Sequence, residues 1–175
     1  MTYTRRHTLA LWLAATTATL AGPAAAHGPS HGSAPGSRPA AGTRPAEVQQ
    51  KAWGRAGDPQ AVQRTITIDM HDDMRFRPDR FEVREGETVR LRIRNRGRVL
   101  HELVLGDEQE LATHAELMKR HPGMEHDEPY MAHVDPKRTG SIVWHFNRPG
   151  QFRFACLIPG HYDAGMIGTV IVQPR

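Results

Sequence analysis

One cysteine, Cys156, occurs in the 175 residues, and a lone thiol cannot close an intrachain disulfide. Aromatics are sparse at 6%. No stretch approaches the roughly 20 apolar residues needed to cross a bilayer. The apolar run Leu9 to Leu20 is too short and is followed by Gly22-Pro23. Nor is there an internal repeat or a strong charge of one sign: 23 Lys+Arg stand against 19 Asp+Glu, a net charge of +4.

What is present at the N-terminus is the order of a secretory signal: Arg5-Arg6, the short apolar run, then the small residues Ala24-Ala25-Ala26. Residues 1–26 are therefore expected to be a signal peptide. Thr4-Arg5-Arg6 touches on a twin-arginine pattern, but the residues after it match poorly, so the general secretory route is expected, with a periplasmic destination. Export argues against nucleic acid as a partner. It also sharpens the matter of Cys156, because exported proteins use cysteines in pairs. A thiol without a partner cysteine is either an inert buried side chain or is held by something else.

Residues 27–62 are rich in Gly, Pro, Ser and Ala with almost no large apolar side chains. Such a segment buries too little surface to offset its ordering entropy, and a flexible arm is expected, with a short helical turn possible around Glu47 to Trp53. His27 would head the mature chain, where its amine and imidazole could chelate Cu(II).

From residue 63 to 175 the pattern becomes period two, that of half-buried strands. Val89, Leu91 and Ile93 face one way and Arg90, Arg92, Arg94 and Arg96 the other. His101, Leu103 and Leu105 share a face, as do Phe152, Phe154 and Cys156. Short strands separated by Gly, Pro and Asn turns indicate an antiparallel β-sandwich or barrel. One helix interrupts it. Leu111, His114, Ala115 and Met118 form an amphipathic stripe between Asp107 and His121, with Asp107 and Glu110 as an N-terminal capping pair.

Strand parity brings Cys156 and His101 to the same end of such a sandwich. The loop after the cysteine, "CLIPGHYDAGM", adds His161 and Met166. Two imidazoles, a thiolate and a weak thioether are the donors of a type 1 copper site, soft enough for Cu(I) and tolerant of Cu(II). His145 and His71 are weaker choices for the first histidine. Further soft and borderline donors crowd the region from Leu111 to Val134: His114, Met118, His121, Met124, His126, Met131 and His133. They suggest a possible second copper in this insert, with Met124-x-His126 next to the helix stripe. The stripe Arg90 to Arg98 could steer docking to an acidic redox protein.

With these residues in place, the chain resembles a cupredoxin. "MRFRPDRFEVREGETVRLRIRNRGRVLHELVLG" resembles the first half of that family and "GQFRFACLIPGHYDAGMIGTVIV" its ligand loop, with Cys156, His161 and Met166 in matching places. The resemblance implies a Greek-key β-sandwich with a short helical insert, holding one copper on His101, Cys156, His161 and Met166. "HELVLG", "MEHDEP" and "CLIPGHYDAGM" are closest to periplasmic cupredoxins of copper tolerance. Glu102 stands where small blue copper carriers usually have Asn. Copper tolerance or homeostasis is the expected role, with a diffusing single-electron carrier as the alternative. An enzyme is not expected. The multicopper pattern has a His beside the cysteine, whereas Ala155 and Leu157 flank Cys156, and a dinuclear copper centre needs a second cysteine.

Overall fold

The computed structural model describes residues 49–175 except 123, 125 and 126. The signal peptide, most of the arm, His27 and His126 lie outside the described residues. Among the described residues, ten strands and one α-helix follow in order, with a single 3-10 turn at Pro59–Ala61: β1 (Arg55–Ala56), β2 (Arg64–His71), β3 (Arg75–Arg77), β4 (Arg80–Arg84), β5 (Glu87–Asn95), β6 (His101–Gly106), α1 (Glu108–Arg120), β7 (Met131–Val134), β8 (Thr139–Phe146), β9 (Gly150–Ala155) and β10 (Ile167–Gln173). They form two five-stranded sheets, ordered β1-β8-β5-β2-β3 and β4-β10-β9-β6-β7.

The expected alternation holds. In β5, Val89, Leu91 and Ile93 are fully buried while Arg92 is exposed. The inner faces of both sheets share one core, with Ile68, Leu91, Trp144, Phe146, Phe154 and Cys156 among its members. The pairing differs from a purely antiparallel sandwich: β2 runs parallel to β5, and β10 parallel to β4. The reason is connectivity. Between β2 and β5 the chain crosses to the other sheet and builds β4 there, so β5 returns beside β2 in the same direction. Side-chain alternation specifies which face is buried but not which strand lies alongside.

All of β6 is buried, because α1 covers its other face. Val104 packs there with Leu111, Ala115, Met118, Met131, Ala155 and Leu157 in a second apolar cluster. The helix begins as expected, with the Asp107 side chain accepting a hydrogen bond from Glu110 N at 2.8 Å. His114, on the expected stripe, is only half-buried.

The end of the expected arm belongs to the packed body. Trp53 is 2% exposed, and its carbonyl accepts from Trp144 Nε1 at 2.8 Å. Arg55–Ala56 pairs with Trp144 and His145 as an edge strand. In place of the helical turn, Lys51 and Gly54 bridge each other in a tight turn. A single large apolar residue, Trp53, anchors this segment, which is too little to register as periodicity.

Candidate metal centre

Three ligand atoms, one each from His101, Cys156 and His161, lie within 4.8 Å of one another. His101 opens β6 and Cys156 follows directly on β9, and the two strands pair within one sheet. After Cys156 the chain leaves the sheet and turns back. His161 N donates to Ile158 O at 2.9 Å, and at Gly160 the backbone takes φ +87, a conformation that suits glycine. This return places His161 Nδ1 3.2 Å from Cys156 Sγ and the two imidazole centres 5.0 Å apart. Met166 closes the loop. Its N–H donates to His161 O at 3.0 Å, its carbonyl accepts from Cys156 N at 3.1 Å, and its side chain is fully buried in the core that holds Cys156.

The donor set fits a soft or borderline metal. His101 is fully buried, yet its Nδ1 has no hydrogen-bond partner, an arrangement that costs free energy unless another group engages that nitrogen. Its other nitrogen, Nε2, lies 3.2 Å from Asp72 Oδ1, the carboxylate-to-imidazole contact that orients metal-binding histidines. Asp72 is itself fixed by Arg98 N–H, which with the His101 contact holds its carboxyl below the usual range against the opposing effect of burial. Burial lowers His161, and the neighbouring His101 lowers it further, favouring the neutral imidazole that a metal requires. Burial also pushes the Cys156 thiol up to about 12, partly offset by hydrogen bonds from the Glu102 and Ile158 amides. The isolated thiol is therefore protonated at neutral pH, and a metal there would displace the proton.

Two residues escaped the sequence reading as supports. Asp72 precedes His101 by 29 positions and no spacing rule connects them. Glu102 is buried, 1% exposed, and ties the start of the ligand loop to β6: its Oε1 accepts from Leu157 N at 2.7 Å, beside the cysteine. Glu102 N donates to Cys156 Sγ at 3.4 Å, and Oε2 pairs with His133 Nε2 at 2.7 Å across the β6–β7 ladder. The substitution of Glu for Asn was the visible signal.

The remaining soft donors separate. Met131 is buried among apolar side chains, His121 lies exposed at the end of α1, and His114 borders a different hollow beside Trp53 and Tyr130. Met118, Met124 and His133 alone among the described members line one cleft. His145 bonds Thr88 Oγ1 at 2.9 Å and, like His71, is outside the cluster.

A two-sheet sandwich closed at one end by His, Cys and His defines a small copper protein. Residues 62–173 match the model of the copper binding proteins of the plastocyanin/azurin family, and the chain belongs to that family. It is 48% identical over 121 residues to the copper-resistant cuproprotein CopI of Rubrivivax gelatinosus, covering 69% of this chain and 73% of that one. A protein of the same name from Pseudomonas aeruginosa is 33% identical, with 71% and 84% covered. Among solved structures, the reduced auracyanin of Roseiflexus castenholzii superposes with a TM-score of 0.56 at 22% identity, over 65% of this chain and 99% of that one. This last likeness concerns the fold alone.

Proposed function

We propose that this protein is a periplasmic copper-tolerance cupredoxin that holds one copper on His101, Cys156, His161 and Met166. The observation that carries the site is the buried, unpartnered His101 Nδ1 beside a Cys156–His161 pair 3.2 Å apart. Copper bound to such a set supplies a reversible one-electron couple. The protein's own part is positional. Asp72 orients the His101 ring, and Glu102 ties the start of the ligand loop to β6. The Glu102 amide also meets the sulfur, one of the levers on a thiolate's electronics. Complete burial of His101, Cys156 and Met166 keeps water from three of the four donors.

The tolerance role is supported by the names of the two relatives, both copper-resistant cuproproteins, and periplasmic location by the signal-like N-terminus. The carrier role has weaker support. Of the arginine stripe, Arg94 and Arg96 are engaged by Asp69 of the neighbouring strand and Arg98 by Asp72, which reduces the charge available for docking. Deleting the gene should lower growth in excess copper and leave respiration intact, with rescue by the wild-type copy and not by Cys156→Ser. A respiratory defect with unchanged copper sensitivity would overturn the tolerance reading.

A further inference from the structure

The turn between β2 and β3 reaches the metal centre twice. Asp72 meets His101 Nε2 at 3.2 Å. Further along the same turn, Arg75 Nη1 donates to Ala164 O at 2.8 Å, just before Met166 in the ligand loop. The same Nη1 donates to Met74 O at 2.8 Å, so one guanidinium joins turn and loop. The turn itself is fixed. Met74 N donates to His71 O at 3.0 Å, and Met74 takes φ +58, a left-handed conformation that a residue with a side chain keeps only where its surroundings enforce it. Next to Arg75, Phe76 is 2% exposed and packs edge-on against Phe154, with ring centres 5.0 Å apart. On the loop side, no backbone amide of the described residues donates to Ala164 O. Gly165 leaves the guanidinium room to approach, since a Cβ there would stand 3.3 Å from Nη1.

We propose that Arg75 is a positioning residue for the metal centre: its guanidinium holds the Ala164 carbonyl and thereby sets how the Met166 thioether approaches the copper. The inference rests on the copper reading with Met166 as fourth donor. A thioether is the weak, long axial ligand of such a site. So weak a bond does little to fix its own length, and the backbone that carries the donor decides it. His101 and Cys156 are set by the paired strands β6 and β9, whereas Met166 comes at the end of the loop between β9 and β10. Its amide and carbonyl are tied to His161 and Cys156, ligands of the same loop. Arg75 supplies a tie from outside. β3 belongs to the first sheet, while β6, β9 and β10 belong to the second. Through Asp72 and Arg75, one turn of the first sheet holds both the first histidine and the thioether segment of the second.

The test compares Arg75→Leu, which keeps an apolar stem and loses the donors, with Arg75→Lys, which keeps a cationic donor. In the copper-free protein, hydrogen exchange at the Met166 amide should speed about 2–10-fold in Arg75→Leu, the ratio expected for one lost hydrogen bond. Arg75→Lys should recover most of that difference. In the copper-loaded protein, the Cu(II) hyperfine splitting in the EPR spectrum should change in Arg75→Leu and return towards wild type in Arg75→Lys. The splitting follows donor geometry, so a loss of stability alone would not move it. Arg64→Leu, which removes an exposed arginine from Glu87 at the opposite end of β2, should leave the exchange and the splitting as in wild type. Unchanged Met166 exchange or an unchanged splitting in Arg75→Leu overturns the proposal, as does an equal effect of Arg64→Leu. In those cases wild type still shows visible thiolate-to-copper absorption; wild type without that absorption would instead overturn the copper reading itself.

Discussion

Removing the Glu102 carboxylate tests whether this side chain holds the ligand loop. Glu102 is 1% exposed and Leu157, whose N–H it accepts at 2.7 Å, is equally buried. A hydrogen bond is worth about 0.5–1.5 kcal/mol, and an orphaned buried donor costs about 1–3 kcal/mol. The His133 side of the pair is 38% exposed; it rehydrates when Glu102 is lost, and contributes about 0–1 kcal/mol. Glu102→Ala should therefore cost about 2–4 kcal/mol of a total stability of about 5–15 kcal/mol. In Glu102→Gln the amide oxygen can still accept from Leu157, and the cost should be only about 1 kcal/mol. Urea unfolding of the copper-free protein, followed by tryptophan fluorescence, measures both. The copper-loaded alanine variant should also show an altered visible band, because Leu157, next to Cys156, loses its tie to β6. Equal losses for Ala and Gln, or an alanine cost below about 1 kcal/mol, would refute the bracing role.

Three other outcomes follow from the packing. Trp53→Ala should cost about 3–5 kcal/mol in urea unfolding; no change would return residues 49–62 to a solvated arm. Burial alone would raise Asp69, but its hydrogen bonds to Arg94, at 2.5 and 2.8 Å, and the charges of Arg94 and Arg96 outweigh it and hold its carboxyl below the usual value. That stabilisation is present above the ordinary carboxylate range and is lost as pH falls through the lowered folded value. Asp69→Asn should then cost about 1 kcal/mol at neutral pH, with the difference from wild type closing in acid as pH falls through that lowered value in pH-dependent melts. A Cβ on Gly168 would stand 2.1 Å from the buried Phe154 ring, whereas one on Gly160 meets nothing within 4 Å. Gly168→Ala should lower the melting temperature several times more than Gly160→Ala, whose cost is about 1 kcal/mol of left-handed strain.

The sandwich and the ligand loop were legible because each has a local signature. Alternation marks the strands, and Cys156, His161 and Met166 lie within eleven consecutive positions. His101 was reachable because strand parity and its place at a strand start are also local. Partnerships made by the fold were not legible. The parallel registers of β2 with β5 and β4 with β10 depend on crossovers that alternation does not encode. Asp72 reaches His101 only through a turn, and Trp53 joins the core from a segment with no periodicity of its own. The His/Met insert read as one cluster in sequence, but the helix turns Met118 inward and leaves His114 and His121 elsewhere.

With Cys156 as a copper ligand, the colour of the protein depends on this one thiol. Purified mature protein titrated with Cu(II) should develop intense visible thiolate-to-copper absorption that saturates at one equivalent and is absent in Cys156→Ser. If that absorption persists in Cys156→Ser, the assignment of the centre is contradicted.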